Sequence, residues 1–112
     1  MGKTIEWPDF AKVDMRVGTV VEVSDFEKAR KPAYKIKIDF GTEIGVKKSS
    51  AQLTKRYQKE DLLGKQVVAV INFPKKQIAD FMSECLILGA VEGDDVVLLR
   101  PDVKVPNGLK IS

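Results

Sequence analysis

Lysine and arginine, and not histidine or cysteine, are the side chains with which this sequence can act. Histidine is absent and cysteine occurs once, at Cys85. That removes the commonest general base and every usual zinc ligand set together. The adjacent acidic pairs Glu60-Asp61 and Asp94-Asp95 lack the spacing of a calcium loop. No glycine-rich phosphate loop or activated nucleophile is present either. The chemistry left is recognition, so the sequence predicts a binding protein with no catalytic residue, metal or cofactor. The bases are also concentrated. Residues 28–59 hold ten lysines and arginines against two acids, Asp39 and Glu43, a net of +8, whereas the whole chain carries only +3. A middle third this basic predicts a positively charged face.

Within that face, Lys35 and Lys37 alternate with Tyr34, Ile36, Ile38 and Phe40, which places them on the wet side of a strand. Lys47, Ser49 and Gln52 are expected to extend the same surface, with Lys48 snorkelling at its edge. Arg56, beside Lys55, falls on a short expected helix. A second candidate region runs through residues 72–90. There the buried run 67–71 leads into Asn72, Pro74, Lys75 and Lys76, and Ser83 precedes the next apolar run. Asn72 either ties down this loop or reads a ligand, since a buried amide must be hydrogen-bonded. Ser83 has the hydroxyl to meet a phosphate or cap the strand. Phe26 and Phe81 are the aromatics expected to be exposed in loops, able to stack on a base or hold an apolar side chain. Phe40, Tyr34 and Phe73 are expected in the core, as is Cys85.

Those positions need a frame. A short helical turn is predicted over residues 7–13, with Asp9 as its cap. A strand follows from Met15, with Met15, Val17, Thr19, Val21 and Val23 on one face. The next strand carries Tyr34 to Phe40. After a tight turn at Gly41-Thr42-Glu43 comes a paired strand in which Ile44, Val46 and Lys48 oppose Gly45, Lys47 and Ser49. A short helix is expected over 52–57, with Leu53 and Tyr57 facing the core, and a second turn over 60–63 ending at Gly64. Residues 65–73 and 84–91 read as buried strands. Val96 to Leu99 follow a Gly93-Asp94-Asp95 turn, and Pro106-Asn107-Gly108 is predicted to turn a final hairpin. Three strands, a helix, two strands and a β extension is the order of an all-β OB-fold, a five-stranded Greek-key barrel with short helices. An SH3-like barrel would lack the helix after the third strand; a ferredoxin-like fold would need two full helices.

The chain's 112 residues suit one domain with its own core, here 1–112. The lone cysteine fits a reducing compartment, and no apolar run approaches the roughly 20 residues that span a bilayer. The first residues lack the apolar stretch of a signal peptide. A cytoplasmic location without membrane insertion is expected.

Several motifs carry a family resemblance. Val13-Asp14-Met15-Arg16-Val17-Gly18 is similar to the opening of the tRNA-binding domain found in methionyl-tRNA synthetase C-terminal extensions and in the EMAP-II cytokine precursor. Asn72-Phe73-Pro74, Ile78 and Ser83-Glu84 resemble the fourth and fifth strands of that domain and their connection. Asp39 to Gly45, Ser49 to Gln52, Thr54 to Tyr57 and Pro106-Asn107-Gly108 resemble its CsaA-type chaperones, from about Asp9 to the C-terminus. The resemblance implies a non-catalytic homodimer. Its ligands would be unfolded preproteins or signal peptides, in the service of protein export, with tRNA as the alternative partner. Residues 91–112, with the N-terminal turn, would form the dimer contact. Acids such as Asp80 and Glu27 would meet the basic start of a signal peptide. Two positions depart from the pattern. Asp80 replaces a glycine and is expected beside Lys75 and Lys76, while Ala79 replaces the arginine typical of tRNA-binding members.

Overall fold

The structure is a computed structural model that describes residues 2–112, so Met1 lies outside the described residues. In chain order the elements are α1 (Trp7–Ala11), β1 (Met15–Asp25), β2 (Tyr34–Asp39), β3 (Val46–Ala51), α2 (Lys59–Leu62), β4 (Gln66–Val70), β5 (Lys76–Ile78), β6 (Phe81–Ser83), β7 (Leu86–Ile87), β8 (Gly89–Glu92) and β9 (Asp95–Leu98). Five strands form an antiparallel sheet in the order β3-β2-β1-β4-β7. It curls into a nearly closed barrel, the OB-fold. Two hairpins, β5–β6 and β8–β9, stand off it.

Closure is made where residues 84–85 meet β3. Glu84 N–H donates to the Lys48 carbonyl at 2.8 Å. The Glu84 carboxylate accepts Lys48 N–H at 2.9 Å, and Ser49 Oγ donates to the Cys85 carbonyl at 3.0 Å. A side chain thus supplies an acceptor that a longer β7 would have supplied from its backbone. The expected strand over 84–91 is accordingly broken into β7 and β8.

Ile36, Ile38, Phe40, Val20, Val67 and Leu62 are fully buried, with Leu53 and Leu98 packed in the same core. Each such side chain contributes roughly 1.5–3 kcal/mol by leaving water. All of β4 is buried, as its unbroken run of apolar residues predicts. β1 does not keep the expected face. Gly18, Val20 and Val23 turn to the core, and Val21 is exposed. A bulge between Val20 and Glu22 shifts the register, and one residue of shift exchanges faces. A Cβ at Gly18 would lie 2.5 Å from Ile38 Cγ2 and 2.8 Å from Phe40. The glycine is what lets β2 fold in so closely.

β3 is inverted for a related reason. The turn before it runs on through Ile44 and Gly45, with Gly45 at φ 86° and Phe40 N–H bonded to the Gly45 carbonyl. The strand therefore starts at Val46. Ser49 pairs with Ile36 and Lys47 with Ile38, so these residues face inward, while Lys48 pairs with Lys37 on the outer face.

No helix forms over 52–57. The segment is a turn closed by Tyr57 N–H to the Leu53 carbonyl, and it still directs Leu53 and Tyr57 to the core. α1 starts at Trp7, and Asp9 caps it from the third helical position by accepting Glu6 N–H at 2.9 Å. α2 ends before Gly64, whose φ of 84° fits the predicted stop.

The final hairpin is not made. Pro106-Asn107-Gly108 docks against the barrel, and the chain beyond it runs beside β1: Val17 N–H donates to the Leu109 carbonyl and Ile111 N–H to the Met15 carbonyl. Buried Gln66 holds Val105 through both its backbone groups, at 2.7 and 3.1 Å. Asn107 Oδ1 accepts from Thr19 Oγ1 at 2.7 Å and from Gln66 Nε2 at 3.2 Å.

Candidate functional site

The ten bases of residues 28–59 fall into two groups. Lys28 pairs with Asp80 (3.2 Å), Lys37 with Glu22 (3.5 Å), Lys55 with Asp94 (2.9 Å), Arg56 with Asp95 (2.8 Å) and Lys59 with Asp25 (3.0 Å). Arg30, Lys31, Lys35, Lys47 and Lys48 have no carboxylate partner among the described residues. Arg56, a candidate from its sequence position, holds Asp95 with two nitrogens and so ties the 53–57 turn to the β8–β9 hairpin. The hydrogen bond from Arg56 keeps the Asp95 carboxyl below the usual carboxylate range, and Lys55 does the same for Asp94.

Apart from Lys47, which faces inward beside Ile38, the unpaired bases lie on or next to one face. Lys35 and Lys48 project from the outer face of β2 and β3, with Lys37 directly opposite Lys48. Like charges facing each other across a ladder are destabilising, an arrangement suited to a negatively charged visitor. Lys35 Nζ sits 5.1 Å from the centre of the Phe26 ring and 5.7 Å from that of Phe81, and Lys48 Nζ sits 5.4 Å from Phe81.

Those two rings are not exposed. Phe26 and Phe81 are 4% and 8% accessible and lie 5.4 Å apart, packed with Ala33, Ala29 and Ile78 in a small second core. This cluster joins the loop after β1 to the β5–β6 hairpin, and the Lys28–Asp80 bridge spans the same two elements. Asp80 therefore meets Lys28 and not Lys75 or Lys76. Its carboxyl is lowered chiefly by the hydrogen bond from Lys28. Ala79, at φ 50°, occupies a backbone conformation that glycine would hold with less strain.

The remaining candidates separate. Ser49 is buried and engaged with the Cys85 carbonyl. Asn72 is exposed, and both ends of its amide are taken: Oδ1 accepts Asp14 N–H at 2.9 Å and Nδ2 donates to the Lys12 carbonyl. It fastens the α1–β1 connection to the end of β4. Ser83 Oγ contacts the Cys85 carbonyl at 3.4 Å, and Lys75 reaches Glu84 at 3.7 Å. Lys76 and Gln52 are exposed. Cys85 is buried as expected, and burial pushes its thiol up to about 12.

Two adjoining cavities organise these residues. One, of about 650 Å³, lies between β3, the β5–β6 hairpin, β7 and the β8–β9 hairpin, and Leu53, Ile78, Ile87, Leu88, Val91 and Val96 make much of its wall. Phe73, expected in the core, is 54% exposed and opens onto this cavity with Leu86. Of the candidates named from the sequence, Gln52, Lys76 and Ser83 border this groove, whereas none of the apolar side chains of its wall was singled out as a site residue. The second cavity, of about 840 Å³, is bordered by Lys28, Arg30, Lys31 and Lys76. Ser50, Gln52, Lys76 and Ile78 line both.

An OB barrel whose outer β2–β3 face is basic and abuts an apolar groove defines a ligand-binding module. Residues 15–110 match the family described as "Putative tRNA binding domain". The chain belongs to this tRNA-binding-domain family, on its CsaA-type branch. The crystal structure of chaperone CsaA from Bacillus anthracis str. Ames is 54% identical, with a TM-score of 0.94 over 98% of this chain and 100% of that one. The CsaA chaperone protein from Picrophilus torridus is 56% identical, with a TM-score of 0.91 over 97% of this chain and 100% of that one. The methionine–tRNA ligase of Pyrococcus horikoshii is 40% identical over 107 residues, which is 96% of this chain but 14% of that enzyme. The chain thus spans about 14% of the length of such ligases. Among the described residues, no helix is long and apolar enough to cross a membrane.

Proposed function

We propose that this protein is a non-catalytic, cytoplasmic chaperone that holds extended segments of unfolded polypeptide, secretory preproteins among them, in the apolar groove beside the β8–β9 hairpin. The observation that carries this reading is the groove itself. Its wall is apolar, and Phe73, Leu86 and Val91, respectively 54%, 47% and 68% exposed, lie along it. Exposed apolar side chains grouped around a concave surface suit side chains of an unfolded partner. The similarity to CsaA chaperones over nearly the whole chain supports the same reading. Other exposed apolar residues, Ile5 and Trp7 near the N-terminus and Val97, Leu99, Val103 and Leu109 near the C-terminus, support assembly as a homodimer. Two grooves in one dimer would add avidity for a long chain.

A second reading, tRNA binding, is favoured by a different observation: Lys35 and Lys48 stand without carboxylate partners on the face with which OB-folds bind single strands. One titration separates the two. Binding of a permanently unfolded protein and of tRNA is followed by fluorescence anisotropy as salt is raised. A peptide groove predicts weak salt dependence for the unfolded protein, whereas tRNA affinity should fall by roughly 0.7–0.9 log units per log unit of salt for each phosphate neutralised. Failure of the unfolded protein to bind at low or high salt would remove the chaperone reading.

A further inference from the structure

We propose that the groove reads charge as well as hydrophobicity, selecting extended segments in which an acidic side chain lies within a few residues of an apolar one. This rests on the polypeptide-binding reading and specifies its ligand. The apolar cavity and the basic cavity share Ser50, Gln52, Lys76 and Ile78 as a common wall, so a chain leaving the first enters the second. In an extended chain, alternate side chains on one face are separated by about 7 Å. A chain lying across the common wall would therefore set an apolar residue in one cavity and residues a few positions away in the other.

What those neighbours meet is positive. Of the four bases around the second cavity, Lys28 is engaged by Asp80, whereas Arg30, Lys31 and Lys76 have no carboxylate partner among the described residues. Lys35 and Lys48 stand nearby on the outer face, over the Phe26–Phe81 cluster. Because Asp80 is already bridged, it is poorly placed to receive the basic start of a signal peptide. This end of the groove should repel such a start and attract acids.

The same geometry favours a peptide over single-stranded RNA as the occupant of this cavity. The aromatic rings that would stack on bases, Phe26 and Phe81, are buried against each other, and of their cluster Ala29, Ala33 and Ile78 line the cavity while the rings do not.

The test uses three fluorescein-labelled peptides with one leucine-rich core, followed by two glutamates, two glutamines or two lysines. Anisotropy titrations should rank them Glu, Gln, Lys from tightest to weakest, with Glu over Gln by roughly three- to tenfold at low salt. The gap should narrow as salt screens it. The combined variant Arg30→Gln and Lys31→Gln, exposed residues that line the basic cavity and not the apolar one, should largely remove the Glu advantage and leave the Gln peptide's affinity unchanged.

Equal binding of the Glu and Gln peptides would overturn the inference while leaving the groove intact. So would an advantage that survives undiminished in the double variant. If the variant loses tRNA binding while the Glu-to-Gln ratio stays put, the cavity is an RNA surface and the inference fails. If no peptide binds, the polypeptide reading falls and this inference with it.

Discussion

Residues 28–48 and residues 55–59 are both rich in lysine and arginine, yet the fold puts them to opposite uses. In the later segment every base is matched by a carboxylate from elsewhere in the chain: Lys55 by Asp94, Arg56 by Asp95, Lys59 by Asp25. These pairs tie the 53–57 turn to the β8–β9 hairpin and α2 to the end of β1. In the earlier segment Lys28 and Lys37 are bridged too, but Arg30, Lys31, Lys35, Lys47 and Lys48 are left without partners among the described residues, and all but Lys47 lie around the basic cavity or on the adjoining outer face. The comparison separates bases that build the protein from bases that are available to a ligand. Local charge density does not make that distinction; the partners that neutralise a base come from strands far along the chain.

The largest effect should come from the barrel on which both regions stand. Phe40→Ala empties a fully buried site and should cost about 3–5 kcal/mol in urea unfolding, with the two basic segments losing order together. Reversing the available bases comes next. Lys35→Glu with Lys48→Glu should weaken tRNA binding and make its log–log salt slope shallower by roughly 1.5, while the melting temperature changes little. Removing bases of the other kind should do the reverse. Lys55→Ala with Arg56→Ala should leave tRNA affinity nearly unchanged but increase hydrogen exchange in the β8–β9 hairpin.

A smaller effect should appear with pH. The Asp94 and Asp95 carboxyls are lowered by Lys55 and Arg56, respectively. Depressed folded values mean that the stabilisation is complete above the ordinary carboxylate pKa of about 3.9 and is lost as pH falls through the lowered values. Hairpin protection should therefore persist at pH 5 and decline only below about pH 4; a decline centred near neutrality would contradict the pairing.

Much of the frame was legible because period-two patterning is local. Tyr34, Ile36 and Ile38 turned inward and Lys35 and Lys37 outward, as their alternation predicts. The unbroken apolar run of β4 predicted full burial, and Gly64 marked the end of α2. Phase was lost where a turn or bulge inserted a residue. Gly45 lengthened the turn before β3 and moved Lys48 onto the functional face in place of Lys47 and Ser49; in β1, Gly18 and Val20 already face the core, and the bulge after Val20 then turns Val23 inward in place of Glu22. Contacts distant in sequence were the other source of error. Phe26 and Phe81 each read as an exposed loop aromatic because each is buried by the other. Phe73 read as core because it follows a buried strand, although the chain has already left the barrel there.

The central claim is that polypeptide is held by the apolar groove and not by the basic face alone. Its most direct test is the affinity of a carboxymethylated, permanently unfolded protein for the wild type and for Val91→Asp. Val91 is 68% exposed on the groove, so the substitution leaves the barrel intact. The account predicts a loss of at least roughly tenfold, consistent with placing a charge where an apolar side chain would bury, with tRNA binding little changed. Unaltered affinity of the unfolded protein for Val91→Asp, together with a steep fall in that affinity as salt rises, would contradict it.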